Sequence, residues 1–281
     1  MNPVEYCLIQ TRVNINKLKN KRVPTITILG SGTSTGVPQI GCDCNVCTSS
    51  DKRDKRLRAS VLVSACGRNI LIDCGPDFRQ QMLDAGAPRL DALLLTHIHY
   101  DHVGGIDDLR PYCHRGPFPV YCRPDVERDI RTRLPYCFAR HPYLGVPTFD
   151  MHCIEPSVPF AIPGEDGEDI TVIPLPVMHA ALPITGFRIG DMAYVTDCKT
   201  MPESTKALMR SLDLLVINAL RHEPHPSHLS LDEALELIAE LKPRRAVLTH
   251  LSHQMGKHAQ VSEVLPPEVS IAYDGQVIEF L

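Results

Sequence analysis

The chain has 281 residues, of which 43% are hydrophobic and 22% charged. That is the balance of an ordinary globule, organised as one large α/β domain or two smaller ones. Twenty-nine basic against thirty-three acidic residues leave a net charge of −4, which argues against a nonspecific nucleic-acid binder. No apolar run approaches the roughly twenty residues of a membrane-spanning helix.

Residues 1–24 lack the apolar core of a signal peptide and are polar and basic from Asn14 to Arg22, so they read as an arm ahead of a domain over 25–281. Thr25 to Leu29, Ala59 to Ser64 and Asn69 to Ile72 have the apolar pattern of strands. The glycine-rich stretch Gly30 to Gly36 lacks the Lys-Ser/Thr of a nucleotide-binding loop and reads as a mobile loop beside a site. Pro76 to Ala85 predicts a helix, with proline in its first turn and Gly86 closing it. Asp91 to Thr96 predicts a strand, with a short helix after Gly105. Pro124 to Leu134 predicts a charged helix carrying Arg128, Arg131 and Arg133. His141 to Pro163 is proline-rich, with at most short strands. Further strands end at His179, Asp197 and His250, and helices are expected over Pro202 to Leu212 and Ser230 to Leu241. Ser230 and Glu233 form the sequence signature of a capping box. Such a chain builds a two-layer core of sheets with helices outside, the halves packing as one body.

The densest signal is His97-Ile98-His99-Tyr100-Asp101-His102, directly after the apolar run Leu93-Leu94-Leu95. Imidazoles and a carboxylate at the mouth of a buried strand cost free energy unless something binds them. Alternation lets His97 and His99 face one way, and Asp101 and His102 follow as the chain turns toward Gly104-Gly105. His179, Asp197 and His250 each close an apolar run, so several strands deliver one donor each to the same sheet edge. Asp73 ends another run.

This pattern resembles the metallo-β-lactamase-fold hydrolases, and the similarity runs from about Thr25 to Phe280. The resemblance implies an α/β chain folded as a four-layer αββα sandwich. It implies one divalent metal on His97, His99 and His179 and a second on Asp101, His102 and His250, with Asp197 bridging and Asp73 bracing the histidine loop. Zinc, manganese or iron suits such donors. Activated water would be the nucleophile, oriented in part by Asp101.

Cys42, Cys44 and Cys47 fall within six residues, a spacing that reads as metal binding in a reducing, cytoplasmic compartment. His253 is the candidate fourth ligand of a Cys₃His structural zinc. Of the other eight cysteines, Cys66, Cys74, Cys122 and Cys198 lie in or beside apolar runs and read as small buried hydrophobes. The Cys-rich insertion resembles that of the PhnP-like phosphodiesterases, whose substrate-facing histidine corresponds to His228. The family resemblance makes a small phosphodiester such as phosphoribosyl 1,2-cyclic phosphate the expected substrate, with no membrane or nucleic-acid partner and a homodimer left open. Asp101 and His228 are then the expected catalytic side chains. A ribonuclease Z-like nuclease, a glyoxalase II-like thioesterase and a noncatalytic binding protein on the same fold are the alternatives.

Overall fold

The computed structural model describes residues 23–141 and 143–281; the arm of residues 1–22 lies outside them. Two seven-stranded sheets face each other. The first has the order β14-β1-β2-β3-β4-β5-β6, built from β1 (Thr25–Gly30), β2 (Ser60–Ala65), β3 (Arg68–Ile72), β4 (Ala92–Leu94), β5 (Phe118–Cys122), β6 (Phe149–Cys153) and β14 (Val277–Glu279). The second has the order β13-β12-β11-β10-β9-β8-β7. Its members are β7 (Phe160–Ile162), β8 (Ile170–His179), β9 (Leu182–Ile189), β10 (Met192–Val195), β11 (Leu214–Asn218), β12 (Arg245–Thr249) and β13 (Val269–Ile271).

Each sheet is antiparallel on one side and parallel on the other. In the first, β3, β4, β5 and β6 run parallel; in the second, β10, β11, β12 and β13 do. The halves therefore repeat one scheme. The exception is β14, which returns to pair antiparallel with β1 in the first sheet.

Strand alternation sorts the side chains into layers. Ile70 and Ile72 of β3 point between the sheets with Leu214 and Val216 of β11, where Phe187 and Tyr194 are fully covered. Leu71 of β3 points outward under α1 (Phe78–Asp84) and α3 (Pro124–Arg133), against Phe78, Met82, Val126 and Ile130. Leu215 and Ile217 point outward on the other side, under Ala234, Ile238 and Leu241 of α5 (Leu231–Leu241). The result is the αββα sandwich that the resemblance implies.

Several local expectations needed revision. The first helix starts at Phe78, two residues beyond Pro76, because the Asp77 carboxylate leaves the helix end to bind the Arg58 guanidinium at 2.8 Å. The glycine-rich stretch is held rather than free: Ser31 donates its N–H and Oγ–H to Asp274 Oδ1 at 2.8 and 2.7 Å, and Thr33 N–H reaches the Leu251 carbonyl at 3.0 Å. Cys66 is exposed at the β2–β3 turn, where it adopts φ 46, while Cys74, Cys122 and Cys198 are buried as expected. The capping box at Ser230 and Glu233 forms in full, at 3.3 and 2.8 Å.

Candidate metal centre

Each strand that carries a candidate donor ends at the same edge of the sandwich. The chain leaves β4 through Thr96 into His97 and His99, then turns into α2 (Tyr100–Val103), which holds Asp101 and His102. His179 is the last residue of β8. Asp197 follows β10 and His250 follows β12. Asp73, Asp197 and His250 adopt left-handed backbone, with φ of 64, 56 and 56°. Such conformations cost ~1–3 kcal/mol at a non-glycine residue and cluster at functional sites. Here they turn the side chain back over the strand end. A crossing beneath the histidine loop demands a bare backbone: a Cβ on Gly75 would lie 2.0 Å from the Asp101 carbonyl oxygen. The crossing is tied by Cys74 N–H to the His102 carbonyl at 2.8 Å.

Asp197 sits at the middle. Its Oδ1 is 3.2 Å from His250 Nε2 and 3.4 Å from His102 Nε2. Its Oδ2 is 3.9 Å from His97 Nε2 and 3.8 Å from His228 Nδ1. Asp101 Oδ2 lies 3.1 Å from His102 Nε2 and 3.8 Å from His250 Nε2. Asp101, His102, Asp197 and His250 thus converge within 4.8 Å, as do His97, His99 and Asp197. His179 converges with Asp197 and His228 rather than with His97 and His99; its ring centroid is 5.8 Å from that of His97 and 5.1 Å from that of His99. One carboxylate therefore joins all three groups.

The outward ring nitrogens of His97, His102 and His179 are occupied by the protein, whereas Nδ1 of His250 is not. His102 Nδ1 binds Asp73 Oδ2 at 2.7 Å, and Asp73 also accepts from the Thr96 N–H at 2.9 Å and Oγ–H at 2.8 Å. His97 Nδ1 contacts Thr96 Oγ1 at 2.9 Å. His179 Nδ1–H donates to the carbonyls of Asp197 and Ser227 at 2.9 and 2.8 Å. The inward nitrogens are the reverse. Nε2 of His97, His102 and His250 and Nδ1 of His228 are buried without a hydrogen-bond partner. A buried polar atom without a partner costs ~1–3 kcal/mol, so several on one spot mark a place built to be filled by an electron-pair acceptor. The donor set fits divalent metal ions.

The charges are strongly coupled. Burial opposes ionisation of Asp197, but His250 and His102 outweigh it and hold the carboxyl well below the usual range. Burial likewise works against charge on His102, yet Asp197 and Asp73 drive it well above the ordinary histidine value. Burial, then His102, drives His97 far below it. Burial, with His250 next, pushes His228 down to about 3, so this imidazole is neutral at neutral pH. Desolvation disfavours the charged form of the ring.

The second cluster forms as the spacing predicts. Cys42, Cys44, Cys47 and His253 converge within 4.8 Å, with His253 Nδ1 3.3 Å from the sulfurs of Cys42 and Cys44. The Cys47 N–H, then His253, lowers the Cys44 thiol to about 6, while burial pushes Cys47 up to about 11. Ser252 Oγ accepts from the Gln254 N–H at 3.2 Å and fixes the turn that carries His253.

A family model described as the β-lactamase superfamily domain matches residues 68–251. A crystal structure of a diphosphatase from the PhnP family is 39% identical, with a TM-score of 0.85 over 92% of this chain and 98% of that one. The chain belongs to the PhnP family of the β-lactamase superfamily. Another relative, from Porphyromonas gingivalis, is named octanoyltransferase; it is 47% identical over 88% of this chain, which spans only 50% of that protein. The zinc-bound PqqB of Methylobacterium extorquens shares the fold, at 21% identity and a TM-score of 0.71 over 91% of this chain and 99% of that one.

Sequence reasoning missed three supports of this PhnP-family centre. Thr96 stands directly before His97 and orients it, a signal present in the sequence but unread. Asn218, at the end of β11, accepts from the Cys198 N–H at 2.7 Å and donates to the Cys198 carbonyl at 3.0 Å, pinning the turn after Asp197. The Ser227 carbonyl, a backbone group, leaves no sequence signal at all.

Proposed function

We propose that this chain is a dinuclear-metal-dependent hydrolase that cleaves small phosphodiesters, cyclic ones such as phosphoribosyl 1,2-cyclic phosphate included. The observation that carries the reading is the set of unpartnered imidazole nitrogens converging on Asp197. His97, His99 and His179 would hold one ion, and Asp101, His102 and His250 the other, with Asp197 shared between them. Such ions supply a nucleophilic water near neutral pH and neutralise charge on phosphoryl oxygens. The chain does the rest. Asp73 fixes the His102 ring so that Nε2 faces inward. Asp101, held ionised although burial opposes it because His102 and His250 outweigh that burial, can orient the attacking water. His228 enters as a neutral N–H donor to a phosphoryl oxygen. Cys42, Cys44, Cys47 and His253 would hold a structural zinc, in the closed four-ligand geometry of such sites.

Two observations bear on the alternatives. On α3, Arg131 pairs with Glu127 at 2.7 Å and Arg133 with Asp129 at 2.6 Å, so most of the basic cluster an RNA would need is neutralised within its own helix. Acyl transfer through a thiol finds no support beside the centre, because burial pushes the Cys198 thiol up to about 12. Hydrolysis assays on bis-p-nitrophenyl phosphate, a thioester and a precursor transfer RNA, run beside elemental analysis, test the reading. The expected result is turnover of the phosphodiester and about three ions per chain. Turnover of the thioester or the RNA in its place overturns the proposal.

A further inference from the structure

His97, His102 and His179 are each oriented through an outward ring nitrogen, and His250 is not. Both of its ring nitrogens are buried without a hydrogen-bond partner. Its ring lies against those of His102 and His228, with centroids 5.9 and 4.8 Å away. A ligating histidine is ordinarily fixed by a hydrogen bond from its other nitrogen. The placement of His250 has to come from its backbone instead.

That backbone is left-handed, at φ 56°, a conformation that persists only where the surroundings over-determine it. One flank is the chain after β11. There the Ala219 N–H donates to the Thr249 carbonyl at 2.9 Å and the Ser252 N–H to the Leu220 carbonyl at 3.0 Å. The other flank is the glycine-rich stretch, which brackets Leu251. The Leu251 N–H donates to the Ser31 carbonyl at 2.9 Å, and the Leu251 carbonyl accepts from the Thr33 N–H at 3.0 Å. Gly32 passes between Leu251 and Arg56, where a Cβ would lie 2.9 Å from the Arg56 carbonyl oxygen.

This flank is itself anchored by a charge. Asp274, in the connection from β13 to β14, accepts from the Ser31 N–H at 2.8 Å, the Ser31 Oγ–H at 2.7 Å and the Leu57 N–H at 2.6 Å. Burial pushes its carboxyl up to about 6, so at neutral pH it is ionised and accepts only. The buried Arg56 guanidinium donates to Ser31 Oγ at 2.8 Å and to the Ala272 carbonyl at 2.5 Å. Bonds from N–H and O–H groups to a carboxylate are about twice as strong as those between neutral groups. Neither Asp274 nor Ser31 is a ligand candidate.

We infer that Asp274 is a positioning residue for the metal centre: through Ser31 and Leu251 it fixes the backbone of His250, and so the ligand set of one ion. This rests on the dinuclear reading and adds to it the group that places His250.

A double-mutant cycle on metal affinity tests this, using the full chain stripped of its centre ions and titrated with manganese(II) near neutral pH. Manganese prefers nitrogen and oxygen donors and leaves the thiolate cluster aside. Electron paramagnetic resonance of the free ion reads the binding. Wild type should take two ions. Asp274→Ala should weaken one of them by about 10–100-fold and leave the other unchanged. In a His250→Ala background the same substitution should cost nothing further, because the residue it places is gone. Should Asp274→Ala not fold, Ser31→Ala takes its place in the same cycle. It keeps the backbone bond to Asp274 and should weaken the same ion by about 2–10-fold. Equal weakening of both ions, no weakening of either, or a full further loss in the His250→Ala background overturns the inference while the dinuclear reading stands. Wild type that binds fewer than two ions overturns that reading and the inference with it.

Discussion

Around Asp197 the donors arrive on the ends of buried strands; around His253 they arrive mostly on a loop. The first cluster is held by the αββα frame, by left-handed backbone at Asp197 and His250, and by a shell of Asp73, Thr96 and Asn218. The second has a small apolar base of Val37 and Val46 and sulfurs that mainly touch one another and His253. The frame makes the first site, whereas a metal in the second would make its own frame. Loss of a donor should therefore cost chemistry in one region and local stability in the other.

The largest effect expected is at Asp197. Asp197→Ala removes the carboxylate shared by every donor group, and turnover should fall by about 10³-fold or more, beyond the worth of a single stabilising donor. Kinetics together with metal content check this; a variant keeping both ions and full turnover would break the comparison at its centre. His228→Ala should retain the metals yet lose roughly 10²–10⁴-fold in rate. Because burial, with His250 next, pushes His228 down to about 3, the losses should be similar for p-nitrophenolate and alkoxide leaving groups. A much larger loss with the alkoxide would show that His228 donates a proton instead.

Asp73→Ala should weaken metal affinity by about 10–100-fold, as loss of a carboxylate behind a ligating histidine does. Titration against a chelator measures it. The smallest effect on chemistry is expected at the loop. Cys47→Ser should lower the melting temperature by roughly 2–4 °C for each kcal/mol lost, with turnover on folded protein little changed. Unaltered melting with turnover abolished would move the cluster into the catalytic machinery. Acid should mimic this variant. The Cys44 thiol is lowered to about 6 from the ordinary 9.0, so its contribution is complete above the ordinary value and is lost as pH falls through about 6. Zinc release followed by a colorimetric chelator should track that window.

The centre was unusually legible because its donors are chemically expensive to bury and sit where apolar runs stop. The ends of β4, β8, β10 and β12 could be read from those runs. Other strands were harder. Pro119 within β5, and Pro183 and Gly186 within β9, look like breaks in sequence. Pairing decides otherwise: β9 lies between β8 and β10, and a Cβ on Gly186 would come within 2.9 Å of the Tyr194 carbonyl. Buried parallel strands such as β11 show no alternation of polar and apolar residues, so periodicity cannot mark them. The start of α1 was misplaced because Asp77 spends its carboxylate on Arg58, a contact made across the fold.

The return of β14 to the first sheet has a consequence for biosynthesis. Thr25 and Glu279 are register partners about 250 residues apart in sequence, a separation of the kind that slows folding. While the chain is emerging from the ribosome, every other strand of the first sheet can pair, but β1 keeps a bare flank. Unsatisfied strand flanks invite pairing with other chains. The nascent protein thus passes through a vulnerable interval that closes only when β14 is released.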